Sequence, residues 1–153
     1  MIRLVIVDDM PDIRYYLEGE LAAASEQFSV VGAAEDGTEA VKLVDSLLPD
    51  VVLMDIQMKT RTEGIYAIRI IHERHPDIKC IALTIHEDDE LIFQAYLAGA
   101  ADYIIKTRSI DTIKNSILAV VNNRLLLRPE VGQRLIQDYQ LVQNQENLMK
   151  ETM

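Results

Sequence analysis

Two acidic residues, Asp8 and Asp9, stand side by side directly after the apolar run in "IRLVIVDDM". A third carboxylate, Asp55, closes "DVVLMD"; a hydroxyl, Thr84, closes "CIALT"; an ammonium, Lys106, closes "YIIK". Two carboxylates about 4 Å apart repel by about 4 kcal/mol at an effective dielectric near 20, so several in one cleft need a cation among them. Carboxylate oxygens suit Mg²⁺, which keeps part of its water shell and commonly bridges to phosphate. A lysine adds a point charge suited to a phosphate oxygen, and a threonine hydroxyl could donate to another. Aspartate can act as a nucleophile and form an acyl phosphate, and phosphoryl transfer needs mainly positioning and charge neutralisation. Spacing alone does not say which aspartate attacks. Asp55, alone at the end of its run, is the better candidate, which leaves Asp8 and Asp9 to hold metal.

Taken singly, each residue has an ordinary explanation. Asp9 could cap a helix beginning near Pro11, Asp55 could cap a turn, Thr84 could be a β-branched strand residue, and Lys106 could snorkel from a strand end. Taken together these explanations fail, because separate apolar runs would all have placed chemistry-bearing groups at the same end.

The runs themselves are Leu4–Val7, Phe28–Ala34, Val51–Met54, Ile78–Leu83 and Tyr103–Ile105. Several are continuous Val/Ile/Leu, as expected of parallel strands covered on both faces. Amphipathic stretches alternate with them at roughly 11–25, 37–47, 63–75, 87–98 and 109–123. Pro11 fits a first helical turn, Leu48-Pro49-Asp50 ends the second helix, and Gly99 reads as a helix C-cap. Strict strand–helix alternation implies an open, doubly wound α/β parallel sheet. In such sheets ligands bind outside the carboxyl ends of the strands, where the loaded residues fall. The second run alone ends without one. Beyond Asn123 the chain changes: six of the eleven residues from Gln137 to Asn147 are Gln or Asn. Residues 1–123 read as one domain and 124–153 as a C-terminal helix fraying into a linker. A dimerising helix there, and so a homodimer, stays open, but its apolar stripe is interrupted.

The 153 residues carry 15 Lys and Arg against 25 Asp and Glu, a formal net charge of −10. That balance speaks against a surface that coats nucleic-acid phosphates or binds anionic membrane, and suits a divalent cation. The lone cysteine, Cys80, lies in an apolar run and reads as a buried structural thiol. Neither a signal peptide nor a membrane-spanning stretch is visible, so a cytoplasmic protein is expected.

The acidic pair Asp8-Asp9, Asp55 after "VVLM", Thr84 after "IAL" and "AGAADYIIK" ending at Lys106 together resemble the receiver domain of two-component response regulators, over residues 2–121. The resemblance implies a flavodoxin-like sheet of order 2-1-3-4-5 with five helices. It implies that Asp55 accepts a phosphoryl group from a sensor histidine kinase, and that Asp8, Asp9 and Asp55 bind Mg²⁺ with the Gln57 carbonyl. Lys106 and Thr84 would contact the phosphoryl group. Tyr103 matches the aromatic switch position that moves with Thr84, and Gln57 and His86 match positions that tune dephosphorylation. The tail "LLLRPEVGQRLI" is similar to linkers of helix-turn-helix regulators, so DNA would be reached only through an effector domain not contained in this chain.

Three departures from the family pattern stand out. Lys59 stands where Pro is usual after Asp55, the following glycine comes one residue late at Gly64 within "QMKTRTEG", and Thr107 follows Lys106 where Pro is common. The alternative function is a Mg²⁺-dependent phosphatase with an aspartate nucleophile, but such enzymes want a second Asp where Gln57 stands. A nucleotide-binding domain lacks its motif, since neither GxGxxG nor GxxxxGK[ST] occurs. His72 and His75 read as exposed or packing residues rather than a phosphohistidine relay.

Overall fold

A computed structural model of the chain describes residues 1–123, apart from 25, 61, 86, 107 and 108, together with 133, 137 and 141. Strands and helices alternate as β1 (Ile2–Val7), α1 (Pro11–Ala22), β2 (Phe28–Ala34), α2 (Gly37–Leu47), β3 (Val51–Asp55), α3 (Glu63–Arg74), β4 (Lys79–Thr84), α4 (Asp89–Ala98), β5 (Asp102–Ile105) and α5 (Ile110–Val121). The five strands form one parallel sheet of order β2-β1-β3-β4-β5. This is the flavodoxin-like order. The chain reverses direction across the sheet between β1 and β3, and this switch point puts Asp8, Asp9 and Asp55 beside one another.

Side chains alternate across each strand, and both faces are covered, which is why the runs are continuously apolar. Val5, Val7, Val52, Met54 and Ala82 pack with Val44, Ile68, Ile71 and Ile92 from α2, α3 and α4. Leu4, Ile6, Leu53, Ile81 and Leu83 pack with Leu17, Leu21, Ile113 and Ile117 from α1 and α5. Cys80 is buried in the first of these layers, and burial pushes its thiol up to about 12.

Local chemistry sets the helix ends. Asp36 accepts the Glu39 N–H, Asp88 accepts those of Glu90 and Leu91, and Ser109 accepts that of Thr112. Gly99 ends α4 at φ 115°, where a side chain would also run into the His72 ring 2.4 Å away. The first helix corrects two expectations. Its N-cap is Met10 rather than Asp9, with Pro11 opening the first turn and no side-chain cap; the Asp8 carboxylate accepts the Met10 N–H at 2.9 Å. It also stops at Ala22, short of residue 25, as the chain folds back to place the Phe28 N–H on the Ala24 carbonyl. His75 is engaged by Asp45 at 2.7 Å. Among the described residues no helix is long and apolar enough to cross a membrane. The expected C-terminal helix and linker lie outside the described residues, except for the three isolated positions.

Candidate functional site

Three strand ends carry the acidic and basic groups to one point. Asp8 follows β1, Asp55 is the last residue of β3, and Lys106 follows β5. One carboxylate oxygen from each of Asp8, Asp9 and Asp55 lies within 4.8 Å of the others. Asp8 is fully buried, Asp55 nearly so, and Asp9 partly exposed. The Lys106 ammonium sits between the two buried carboxylates, 2.6 Å from Asp8 Oδ2 and 3.0 Å from Asp55 Oδ2. The repulsion implied by the acidic cluster is thus partly met inside the chain. Three carboxylates against one ammonium still leave two negative charges. All three offer hard oxygen donors, so the donor set fits a divalent cation such as Mg²⁺.

Asp55 sits in a balance of opposing effects. Burial raises its carboxyl above the usual range and the Asp8 charge adds to this, while the Lys106 charge and the Gln57 N–H pull it down. That N–H donates to Asp55 Oδ1 at 2.9 Å. The Gln57 side chain turns the other way and accepts the buried Thr84 hydroxyl on Oε1 at 2.5 Å. The Thr84 carbonyl in turn accepts the Lys106 N–H at 2.6 Å. The contacts therefore close a circuit: Asp55 to Gln57, Gln57 to Thr84, Thr84 to Lys106, and Lys106 back to Asp55.

The loop after Asp55 is closed by Gly64 in the first turn of α3. A Cβ there would fall 2.2 Å from the Asp55 carbonyl oxygen and 2.5 Å from Ile56 Cα. The late glycine therefore still lands against the strand end, with the extra length absorbed in the bends after Ile56. Glu63, beside it, accepts the Gly37 N–H at 3.0 Å and ties α3 to the start of α2.

The structure brings Asp8, Asp9, Asp55, Gln57, Thr84 and Lys106 together. Tyr103 is buried in the core layer under α3 and α4 rather than among the acidic groups. His86 and Thr107 lie outside the described residues. One contact of a named residue and one further residue were not foreseen from the sequence. The Gln57 side-chain contact joins positions 27 apart, a spacing that no periodicity ties. Arg14, one turn into α1, donates to the Asp8 carbonyl at 2.8 Å and lies over the Tyr15 ring at 5.8 Å. The available signal for Arg14 was a basic residue one turn after an acidic pair.

An acidic cluster with a buried lysine at the switch point of a 2-1-3-4-5 sheet defines a class. The chain belongs to the response regulator receiver domain family, which it matches over residues 4–118. It is 34% identical over 145 residues to the transcriptional regulatory protein DegU of Brevibacillus brevis, covering 95% of this chain and 61% of that protein. It is 36% identical over 135 residues to the response regulator GacA of Pseudomonas viridiflava, covering 88% and 62% respectively. The chain thus spans about three-fifths of the length of these curated relatives. A LuxR-family two-component response regulator from Aurantimonas sp. SI85-9A1 superposes with a TM-score of 0.74 at 27% identity, over 91% of this chain and 98% of that one. The signal receiver domain of the response regulator NarL from Mycobacterium tuberculosis gives 0.74 at 28% identity, over 80% and 98%.

Proposed function

We propose that this receiver domain is a phosphorylation-controlled switch of a two-component system, with residues 1–123 as the switch and 124–153 as a helix and linker. An Asp55 carboxylate oxygen attacks the phosphorus of a phosphohistidine on a sensor histidine kinase. The O–P bond forms as the P–N bond breaks; the electron pair returns to the imidazole nitrogen, which takes a proton from solvent. Asp8, Asp9, Asp55 and the Gln57 carbonyl would hold Mg²⁺, whose charge offsets that of the phosphoryl oxygens. Lys106 moves from its bond to Asp55 toward a phosphoryl oxygen, and Thr84 donates its hydroxyl to another. Thr84 and Tyr103 then change the partner-binding face, and His86 and Gln57 bear on how long the phosphoryl group lasts. Control of transcription through an effector domain, in the cytoplasm, is the output this reading assigns, in keeping with DegU being a transcriptional regulatory protein.

The observation that carries this reading is the convergence of Asp8, Asp9 and Asp55 around a lysine that already bridges two of them. The phosphatase alternative finds no support: Gln57 supplies no second carboxylate, its side chain is engaged by Thr84, and the similar proteins are named as regulators. The test is incubation with Mg²⁺ and acetyl phosphate followed by intact-mass measurement. A single phosphoryl adduct on the wild type, absent in Asp55→Asn, is the expected result. Steady turnover of phosphate esters with no adduct would overturn it.

A further inference from the structure

Gln57 touches both halves of the site with different parts of itself. Its backbone N–H fixes Asp55 at 2.9 Å, and its side-chain oxygen takes the Thr84 hydroxyl at 2.5 Å. Thr84 is fully buried, so its hydroxyl needs a partner at all times; an unpaired buried hydroxyl is costly. Among the described residues no buried side-chain polar atom lacks one. A threonine hydroxyl has one proton and donates it to one acceptor at a time. Donation to Gln57 and donation to a phosphoryl oxygen on Asp55 therefore exclude each other.

We infer that Gln57 is a latch on Thr84, holding the hydroxyl in the unphosphorylated protein and setting how readily the switch is thrown. The inference rests on the reading of Asp55 as phosphoryl acceptor. Exchange of partners runs forward because a charged phosphoryl oxygen is a stronger acceptor than a neutral amide carbonyl. The net gain is reduced by the bond given up. Gln57 thereby acts as a positioning residue: its side chain works through Thr84 and not on the reacting atoms. This separates two effects that one position could have. A residue that guides water toward the phosphoryl group alters only decay, and does so whether or not Thr84 carries a hydroxyl. A latch alters formation, and only while the hydroxyl is present.

The discriminating experiment is a double-mutant cycle in the full chain, using Gln57→Met, which keeps length without the acceptor, and Thr84→Val, which keeps shape without the donor. Adduct formation is followed by intact mass with Mg²⁺ and acetyl phosphate, and urea unfolding is followed without phosphodonor. The latch requires Q57M to form adduct about 3- to 10-fold faster than wild type, the range set by one neutral hydrogen bond. In the T84V background Q57M must change the rate by less than about 2-fold. In unfolding, Q57M and T84V must be non-additive, the double variant losing less than the sum of the two. Equal acceleration in both backgrounds, or additive unfolding, overturns the latch while leaving Asp55 as acceptor. No adduct on the wild type overturns the acceptor reading and the latch with it, and that outcome is distinct because it precedes any comparison of variants.

Discussion

Replacing Lys106 with Met keeps most of the side-chain volume and removes the charge between Asp8 and Asp55. The ammonium lies 2.6 Å and 3.0 Å from their oxygens, and its side chain is only 8% exposed. At an effective dielectric near 20, each contact corresponds to about 6 kcal/mol of Coulomb attraction. Most of that is offset by the cost of taking the ions out of water, so the measurable quantity is the loss on breaking a buried pair, about 3–5 kcal/mol. The remaining carboxylates then repel with no cation between them. Against a domain stability of roughly 5–15 kcal/mol the variant stays folded but is clearly weakened. With a urea slope of about 2 kcal/mol per molar, the midpoint in EDTA should fall by about 2 M. Adding Mg²⁺ should recover part of the deficit, because the ion takes over the neutralising role. In an Asp55→Asn background the same replacement should cost at least about 1 kcal/mol less, since one of the two contacts is already gone. A midpoint within about 0.5 M of wild type in EDTA, or strict additivity with Asp55→Asn, would refute the view that Lys106 neutralises the cluster.

Gly64→Ala should lower stability by about 1–3 kcal/mol in thermal or urea unfolding. It should also slow adduct formation beyond what the stability loss accounts for, because the added Cβ meets the Asp55 and Ile56 backbone. Millimolar Mg²⁺ should raise the wild-type melting temperature by mass action, and the rise should vanish in Asp8→Asn/Asp9→Asn; a retained rise would remove the acidic cluster as the metal site. Cys80 should be alkylated only on unfolding, so that its labelling rate near neutral pH follows the opening equilibrium; fast labelling of the folded chain would contradict its burial. Because its folded pKa is raised from 9.0 to about 12, Cys80 contributes in full below pH 9.0, and the contribution is lost as pH rises toward 12. Cys80→Ala should accordingly show a flatter alkaline stability profile, the difference reaching up to about 4 kcal/mol.

Much of the fold was legible because each layer repeats one rule. Short continuous runs of Val, Ile and Leu that alternate with amphipathic stretches fit strands covered on both faces, and β1 to β5 fell within one or two residues of the expected spans. The errors lie at ends, where a single side chain decides. The first helix begins at Pro11 with Met10 as its N-cap and no side-chain cap, while the Asp8 carboxylate turns back to accept the Met10 N–H. The candidate site was legible for the same reason as the strands. A residue immediately after an apolar run is a residue at a strand's carboxyl end, and four such runs carried Asp, Thr or Lys. Gly64 was legible as a glycine but not as a spacer, because its need comes from the carbonyl of a residue on another element.

By itself, the sequence determined which chemical groups the protein can bring to bear and the end of the sheet at which they stand. Residue type and hydrophobic period are local properties, written in consecutive positions. Tertiary structure decided which groups touch. Lys106 bridges Asp8 and Asp55, while Gln57 joins Asp55 to Thr84 through its two ends. These contacts follow from the side-by-side order of β1, β3, β4 and β5 and from the fit of α3 against the end of β3. The balance between the acidic charges and the Lys106 ammonium is set by distances of a few ångströms, and only the packed sheet supplies them.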